Sequence, residues 1–317
     1  MKPLTTSKLK VKAKPFLKWA GGKTQLLPTL DYFLPASLGG EKNITYIEPF
    51  VGGGAMLFFM LQKYPNIKKA IINDINPHLV NTYIIIRDNP YSLIDTLNEL
   101  QEKFRTSGDF EAQKEFFLDI RSRFNQKVYT DIEEAAYMIF LNRTCFNGLY
   151  RENSKGGFNV PFGKYSNPTI CDEALLIADS ELLQKVEILN GDFAQTGKYV
   201  DGYTFFYFDP PYRPLDATSS FNSYVKEAFD DNEQVRLKDF YSALSEAGCH
   251  EMLSNSDCKG RNAADDFFDE LYQNFFIERV YAKRNINANA AKRGTLTELL
   301  IRNYENFQGP SSNLFDL

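Results

Sequence analysis

The chain has 317 residues, 43% of them hydrophobic and 24% charged, which suffices for two domains or for one large domain carrying an insertion. No apolar run approaches the ~18 residues of a membrane span and the N-terminus lacks the apolar stretch of a secretion signal, so a cytoplasmic protein with no membrane partner is expected. The cysteines (Cys145, Cys171, Cys249, Cys258) show no CxxC spacing and do not read as a zinc or disulfide framework; a net charge of −5 argues against a general nucleic-acid coat protein.

Local charge says more than the total. Six lysines between Lys8 and Lys23, and Arg279, Lys283, Arg284, Lys292 and Arg293, form two stretches without an acid. They fit either a face that binds a polyanion or simply solvated segments. Residues 1–14 lack periodicity and read as a mobile arm. The only tryptophan, Trp19, then stands beside Gly21-Gly22-Lys23, so an aromatic face and a lysine flank a turn whose backbone can approach a ligand. The first glycine of a P-loop is missing, and phosphate cradling is not spelled out.

Ile44–Glu48 reads as a short strand, Pro49–Gly54 as a glycine turn and Ala55–Leu61 as a helix, together the first unit of a Rossmann-like fold. The next strand, Ala70–Asn73, ends at Asp74, where a dinucleotide fold carries its ribose-binding acid. Without GxGxxG, the ligand suggested is a nucleoside lacking a diphosphate, and S-adenosylmethionine is one. From Tyr83 to Tyr165 the strand pattern gives way to helical spacing, clearest over Tyr91–Phe104 and Ile132–Leu141, which predicts a helical insertion. Its end, Phe146 to Tyr165, has two aromatic-rich runs around Lys155-Gly156-Gly157 and predicts a β-hairpin. Arg151 there could read base edges or grip phosphates, or the segment could be an exposed loop.

Strands resume at Val186–Leu189 and Thr204–Phe208. The latter is uncharged, β-branched and aromatic, and stops at Asp209-Pro210-Pro211-Tyr212. An acid at the carboxyl end of a buried strand lies where open α/β sheets bind ligands. The tetrapeptide offers a carboxylate acceptor, a rigid carbonyl and an aromatic face, the requirements for chemistry on an amino-bearing base, although Asp and Pro are also ordinary turn residues. A helix over 232–247, a strand at Glu251–Leu253, and two strands near Phe275–Val280 and Thr297–Tyr304 follow, the last two bracketing a basic loop with Asn285, Asn287 and Asn289. Residues 306–317 read as a disordered tail.

Taken in order, KWAGGK (18–23), EPFVGGGA (48–55), NDIN (73–76), FNGLYR and FNVPFGKY in the hairpin, GDF (191–193) and DPPY (209–212) resemble the Dam family of class-alpha DNA adenine-N6 methyltransferases. The resemblance covers roughly residues 15–304. It implies an α/β, Rossmann-like sheet in which residues 15–85 form the S-adenosylmethionine-binding half, 86–168 a target-recognition insertion and 169–305 the catalytic half, with 1–14 and 306–317 as tails. Trp19, Gly22, Lys23, Phe50, Gly52, Asp74, Asp192 and Asp209 match positions around the cofactor, with Asp74 on the ribose hydroxyls. Asp209, Pro210, Pro211 and Tyr212 match the catalytic set: acid and carbonyl accept the amino hydrogens of adenine, and Tyr212 stacks on the base. The adenine must leave the duplex, with Phe146 or Asn147 filling the gap. By the same resemblance the target is GATC, with Leu149, Arg151 and Pro161 at base-contacting positions and Asn153 and Lys164 on phosphates or flanks.

The partner implied is double-stranded DNA, met as a monomer. Whether a restriction endonuclease accompanies the enzyme is left open. An N4-cytosine methyltransferase and a binding-only protein with this fold remain as alternatives. C5-cytosine chemistry lacks its cysteine after proline, and an NAD dehydrogenase lacks GxGxxG.

Overall fold

The computed structural model describes residues 11–40, 42–213, 229–260, 262–282 and 296–309. Lys8, Lys10, Pro214, Leu215, the 283–295 stretch with Lys283, Arg284, Lys292 and Arg293, and residues 310–317 lie outside them.

A seven-stranded sheet organises the chain, in the order β3-β2-β1-β4-β5-β7-β6. Its strands are β1 (Ile44–Glu48), β2 (Ile67–Asp74), β3 (Val186–Asn190), β4 (Tyr203–Phe208), β5 (His250–Ser256), β6 (Phe276–Ala282) and β7 (Leu296–Arg302). The first five are parallel, whereas β7 runs antiparallel to both β5 and β6. Side chains alternate across the sheet as the pleat requires. Tyr46, Ala70, Ile72, Phe205 and Tyr207 join one buried cluster, while Ile47, Ile71, Phe206, Phe208 and Leu253 join the other. Both faces are therefore dry, which is why the central strands read as unbroken apolar runs.

Helices α1 (Leu27–Phe33) and α2 (Ala55–Lys63) flank β1 in sequence; α3 (Pro77–Asp88), α4 (Pro90–Thr106), α5 (Phe110–Gln126), α6 (Asp131–Thr144) and α7 (Glu173–Leu183) all fall between β2 and β3. Capping sets several boundaries. Asn76 accepts from the His78 and Leu79 amides at the start of α3, and Thr130 with Glu133 forms a capping box at α6. Helix α7 follows the 86–168 stretch and has no counterpart among the predicted elements. Helices α8 (Asp231–Glu246) and α9 (Phe267–Leu271) complete the set among the described residues, and no described helix is long and apolar enough to cross a membrane.

The predicted hairpin folds back around Lys155–Gly157 without a continuous ladder: its arms meet at isolated antiparallel bridges, Glu152 with Phe158 and Cys145 with Phe162. Side chains of the helices replace the missing pairs. Asn125 of α5 accepts from the Phe158 amide (2.8 Å) and donates to its carbonyl (3.0 Å), and Phe162 packs against Phe110 and Phe117. Residues at the inner ends of both expected tails are packed against the fold. Ala13 is 7% exposed and the Lys14 amide donates to Asp179 (3.1 Å), while Phe307 packs on Tyr32 and Phe33 and the Gln308 amide donates to the Leu34 carbonyl. Short apolar residues in polar company, Ala13 and Phe307, have no periodicity to announce them, yet each has core surface to cover.

Candidate active site

Parallel pairing aligns the carboxyl ends of β1, β2 and β4, and each end carries an acid: Glu48, Asp74 and Asp209. Glu48 is buried, accepts a hydrogen bond from Tyr46 (2.8 Å), and is held well above the usual carboxylate range by burial, with the Asp209 charge adding to it. It is a structural acid rather than a displayed one.

Asp209, just beyond β4, faces Lys23. The buried ammonium lies 3.0 Å from Asp209 Oδ1 and 3.4 Å from Glu298 Oε2 on β7, and it donates to the Tyr212 hydroxyl from above the ring, 4.3 Å from its centroid. Tyr212 donates in turn to Glu298 (2.8 Å). Burial raises the Asp209 carboxyl to about 6; Lys23 pulls it down and Glu298 pushes it up. Lys23, which the sequence placed beside the cofactor, meets Asp209, Tyr212 and Glu298, and Glu298 is a member of this cluster that sequence reading missed. Pro210 is buried, and the loop is fixed from outside: Gln234 of α8 donates to the Pro211 carbonyl (3.2 Å) while Asn255 donates to Gln234 (3.1 Å), and Ser256 donates to the Arg213 carbonyl (3.0 Å). Arg213 is clamped by Asp231 and Asp265.

Asp74 ends β2. Its Oδ2 accepts from the Gly52 amide (3.0 Å) and Oδ1 from the Asn76 amide (2.9 Å). Burial raises this carboxyl, and those amides pull it back. Gly52 sits at φ +48, and a Cβ there would lie 2.9 Å from the Trp19 ring, so the turn needs glycine both for its backbone and for the indole. Gly22 closes a turn onto the Trp19 carbonyl. Phe50 packs on Phe193 and Phe229, and Ile75, beside Asp74, is 61% exposed. An acid with spare lone pairs, a bare glycine turn and an exposed aliphatic wall fit a nucleoside. Asp192 is exposed and held bidentate by Arg236, which lowers its carboxyl and also lies over Phe193; the Arg236 latch was not foreseen.

The 146–165 segment adjoins this cradle. Trp19 stacks on Tyr150 (5.2 Å between centroids), and the Asn142 side chain accepts from the Lys18 amide (2.9 Å) while donating to the Lys18 and Gly148 carbonyls (2.8 Å each). Gly148, at φ +64, lies so close to Lys18 that a Cβ would meet its side chain at 2.5 Å. Phe146 (51% exposed), Asn147, Leu149 (40%), Arg151, Pro161 and Lys164 all face solvent, and the Asn153 side-chain carbonyl oxygen accepts from the Lys155 and Gly157 amides. Arg151 is steadied by Asn159 (2.7 Å).

Comparison with known proteins agrees with this geometry. Residues 19–286 match the family described as D12 class N6 adenine-specific DNA methyltransferase. The chain is 49% identical over 297 residues to the type II methyltransferase M.MjaIII of Methanocaldococcus jannaschii, covering 93% of this chain and 100% of that one. It is 40% identical over 304 residues to the type II methyltransferase M1.LlaDCHI of Lactococcus lactis subsp. cremoris (94% and 98%), and 31% identical over 289 residues to the DNA adenine methylase of Escherichia coli K12 (91% and 95%). With the family model spanning residues 19–286 and a relative 49% identical over 93% of the chain, the protein belongs to the D12 class of N6-adenine-specific DNA methyltransferases.

Proposed function

We propose that this enzyme transfers the methyl group of S-adenosylmethionine to N6 of an adenine rotated out of duplex DNA, within GATC. The observation that carries the reading is the Lys23–Asp209–Tyr212 cluster beside the Gly52–Asp74 cradle. When bound, S-adenosylmethionine supplies an electrophilic sulfonium methyl. Asp74 would hold the ribose hydroxyls, Ile75 and Phe50 the adenine faces, and Trp19, Gly22 and Gly52 the surrounding backbone.

The lone pair of N6 is delocalised into the purine ring, which makes the amine a poor nucleophile. Accepting its hydrogens on Asp209 and on the Pro210 carbonyl localises that pair and aims it. Lys23 engages Asp209 Oδ1, so Oδ2 serves the amine. Tyr212 stacks on the base, and Pro211 with Pro210 keeps the acceptors from relaxing. Since a stacked base is out of reach, extrusion is required, with Phe146 or Asn147 entering the vacated space. In this reading residues 15–85 and 169–305 act as the cofactor and catalytic halves, and 86–168 reads the target. The names of the M. jannaschii and L. lactis relatives support pairing with a restriction endonuclease, and a monomer suffices for the chemistry.

Expression in methylation-free cells tests the whole reading. Nucleoside mass spectrometry should find N6-methyladenine, and the DNA should change its response to endonucleases that distinguish methylated from unmethylated GATC. N4-methylcytosine, or no modified base, would overturn it. Arg151→Ala tests the target assignment: a bidentate arginine on guanine discriminates by about 1–3 kcal/mol, so selectivity should fall at one base pair, whereas an equal loss on every sequence would make Arg151 a backbone contact.

A further inference from the structure

The family's motif residues account for Lys23, Asp209 and Tyr212 but leave a fourth member of their cluster without a task. Glu298 is 7% exposed, lies on β7 opposite Ser256 of β5 and Val280 of β6, and brings a second carboxylate to within 3.4 Å of the ammonium that serves Asp209. Its Oε2 also accepts a hydrogen bond from the Tyr212 hydroxyl at 2.8 Å. A buried carboxylate has to be compensated by donors, and these two donors both belong to the reacting site. We propose that Glu298 is a positioning residue of methyl transfer, holding the Lys23 ammonium and the Tyr212 ring together so that Asp209 has only part of its lysine.

The consequence lies in what Asp209 must do. A carboxylate that owns a buried ammonium outright is a strong ion-pair partner and a weak acceptor for a neutral amine, because its electron density is drawn toward the cation. Sharing the lysine between two acids relaxes that pull. The charged and titratable groups around Asp209 are Lys23 ahead of α1, Glu48 at the end of β1, Tyr207 on β4, Tyr212 after it and Glu298 on β7. Of these, Glu298 is the acid that meets Lys23 directly. The Tyr212 hydroxyl, fixed at both Lys23 and Glu298, also sets the plane of the ring that is to stack on the base.

This inference rests on the proposed methyl transfer to adenine, and the experiment separates the two. Full-length wild type, Glu298→Gln and Glu298→Asp are compared on unmethylated duplex DNA with radiolabelled S-adenosylmethionine. Turnover is followed across the acid limb of the pH profile, and S-adenosylhomocysteine affinity is measured by calorimetry. Glu298→Gln should lower kcat by about tenfold and move the acid limb down by roughly half to one pH unit, since Lys23 then belongs to Asp209 alone. Cofactor affinity should stay near wild type. Glu298→Asp retains the charge at shorter reach, so its acid limb should stay with wild type while kcat falls; it also carries the test should the Gln variant not fold. An unchanged kcat and acid limb in a folded variant would overturn the inference while leaving the function intact. A wild-type enzyme that does not methylate adenine would overturn both.

Discussion

Asn142 gives the most demanding test of how the molecule is assembled. Its side-chain amide is 3% exposed and makes three hydrogen bonds, one from the Lys18 amide and two to the Lys18 and Gly148 carbonyls. It pairs with Lys18 as a strand would, joining the turn before Gly21-Gly22 to the turn at Phe146–Gly148. Asn142→Ala removes all three. At about 0.5–1.5 kcal/mol net for each bond the loss is ~1.5–4.5 kcal/mol; water can reach the exposed Lys18 but not the buried Gly148, which puts the expected value at about 2–3 kcal/mol. Asn142→Asp should be worse than Ala at neutral pH: it keeps the acceptor for Lys18 but turns a carboxylate toward two carbonyl oxygens. Urea unfolding measures the global loss, calorimetry with S-adenosylhomocysteine measures the cradle, and KM for duplex DNA measures the recognition turn. Both binding constants should weaken together. A folded Ala variant within about 0.5 kcal/mol of wild type and unchanged in both constants would refute the coupling.

Three further outcomes are expected. Asp209→Asn should lose at least about a hundredfold in kcat, because an amide accepts the amine hydrogens more weakly than a carboxylate; the wild-type rate should rise with pH through about 6, where Asp209 ionises, and a flat profile across that range would exclude it as the titrating acceptor. Asp74→Ala should weaken S-adenosylhomocysteine binding by at least about tenfold in calorimetry, since it removes the proposed ribose acceptor and frees the Gly52 amide. Asp179, whose carboxyl burial raises to about 8 against about 3.9 in an unfolded chain, binds its proton more tightly when folded, so the stability it lends is full below about pH 4 and lost as pH rises to about 8. Asp179→Asn keeps the acceptor for the Lys14 amide and should remove that slope, gaining a few kcal/mol near pH 8; identical melting-temperature profiles for the two proteins would count against it.

The sheet was legible because its physics is local. Thr204–Phe208 has no charge since both of its faces are buried, and the acid after it stands at the ligand-side edge because parallel strands end there. The 146–165 segment was legible as a turn but not as a structure without a ladder. Its arms are held by Asn125 and by Phe110 and Phe117, from a helix in which neither the amide nor the rings advertise that task. Asn142 was hidden in the same way inside an apolar helical run. Arg236 and Asp192 are 44 residues apart, and their bidentate pair depends on α8 returning beside the Phe193 turn. Such contacts are set by tertiary packing, and no spacing rule reaches them.

Glu298 was hidden for a different reason, one that belongs to the topology. Ligand-facing residues of a parallel sheet are sought at carboxyl ends of strands, and a residue near the start of a strand is passed over. β7 is reversed against β5, so its amino end lies beside Ser256, at the carboxyl end of β5, and Glu298 joins the edge that carries Asp209. The cluster therefore closes a ring between Lys23, ahead of the first helix, and Glu298 on the last strand. Each is anchored by its neighbours: the segment before Lys23 by Ala13 in the core, the Lys14 amide on Asp179 and Asn142 on Lys18, the one after β7 by Phe307 on Tyr32 and Phe33. Helix α1 lies between these anchors, packed by Leu30 into the core and by Phe33 on Phe307.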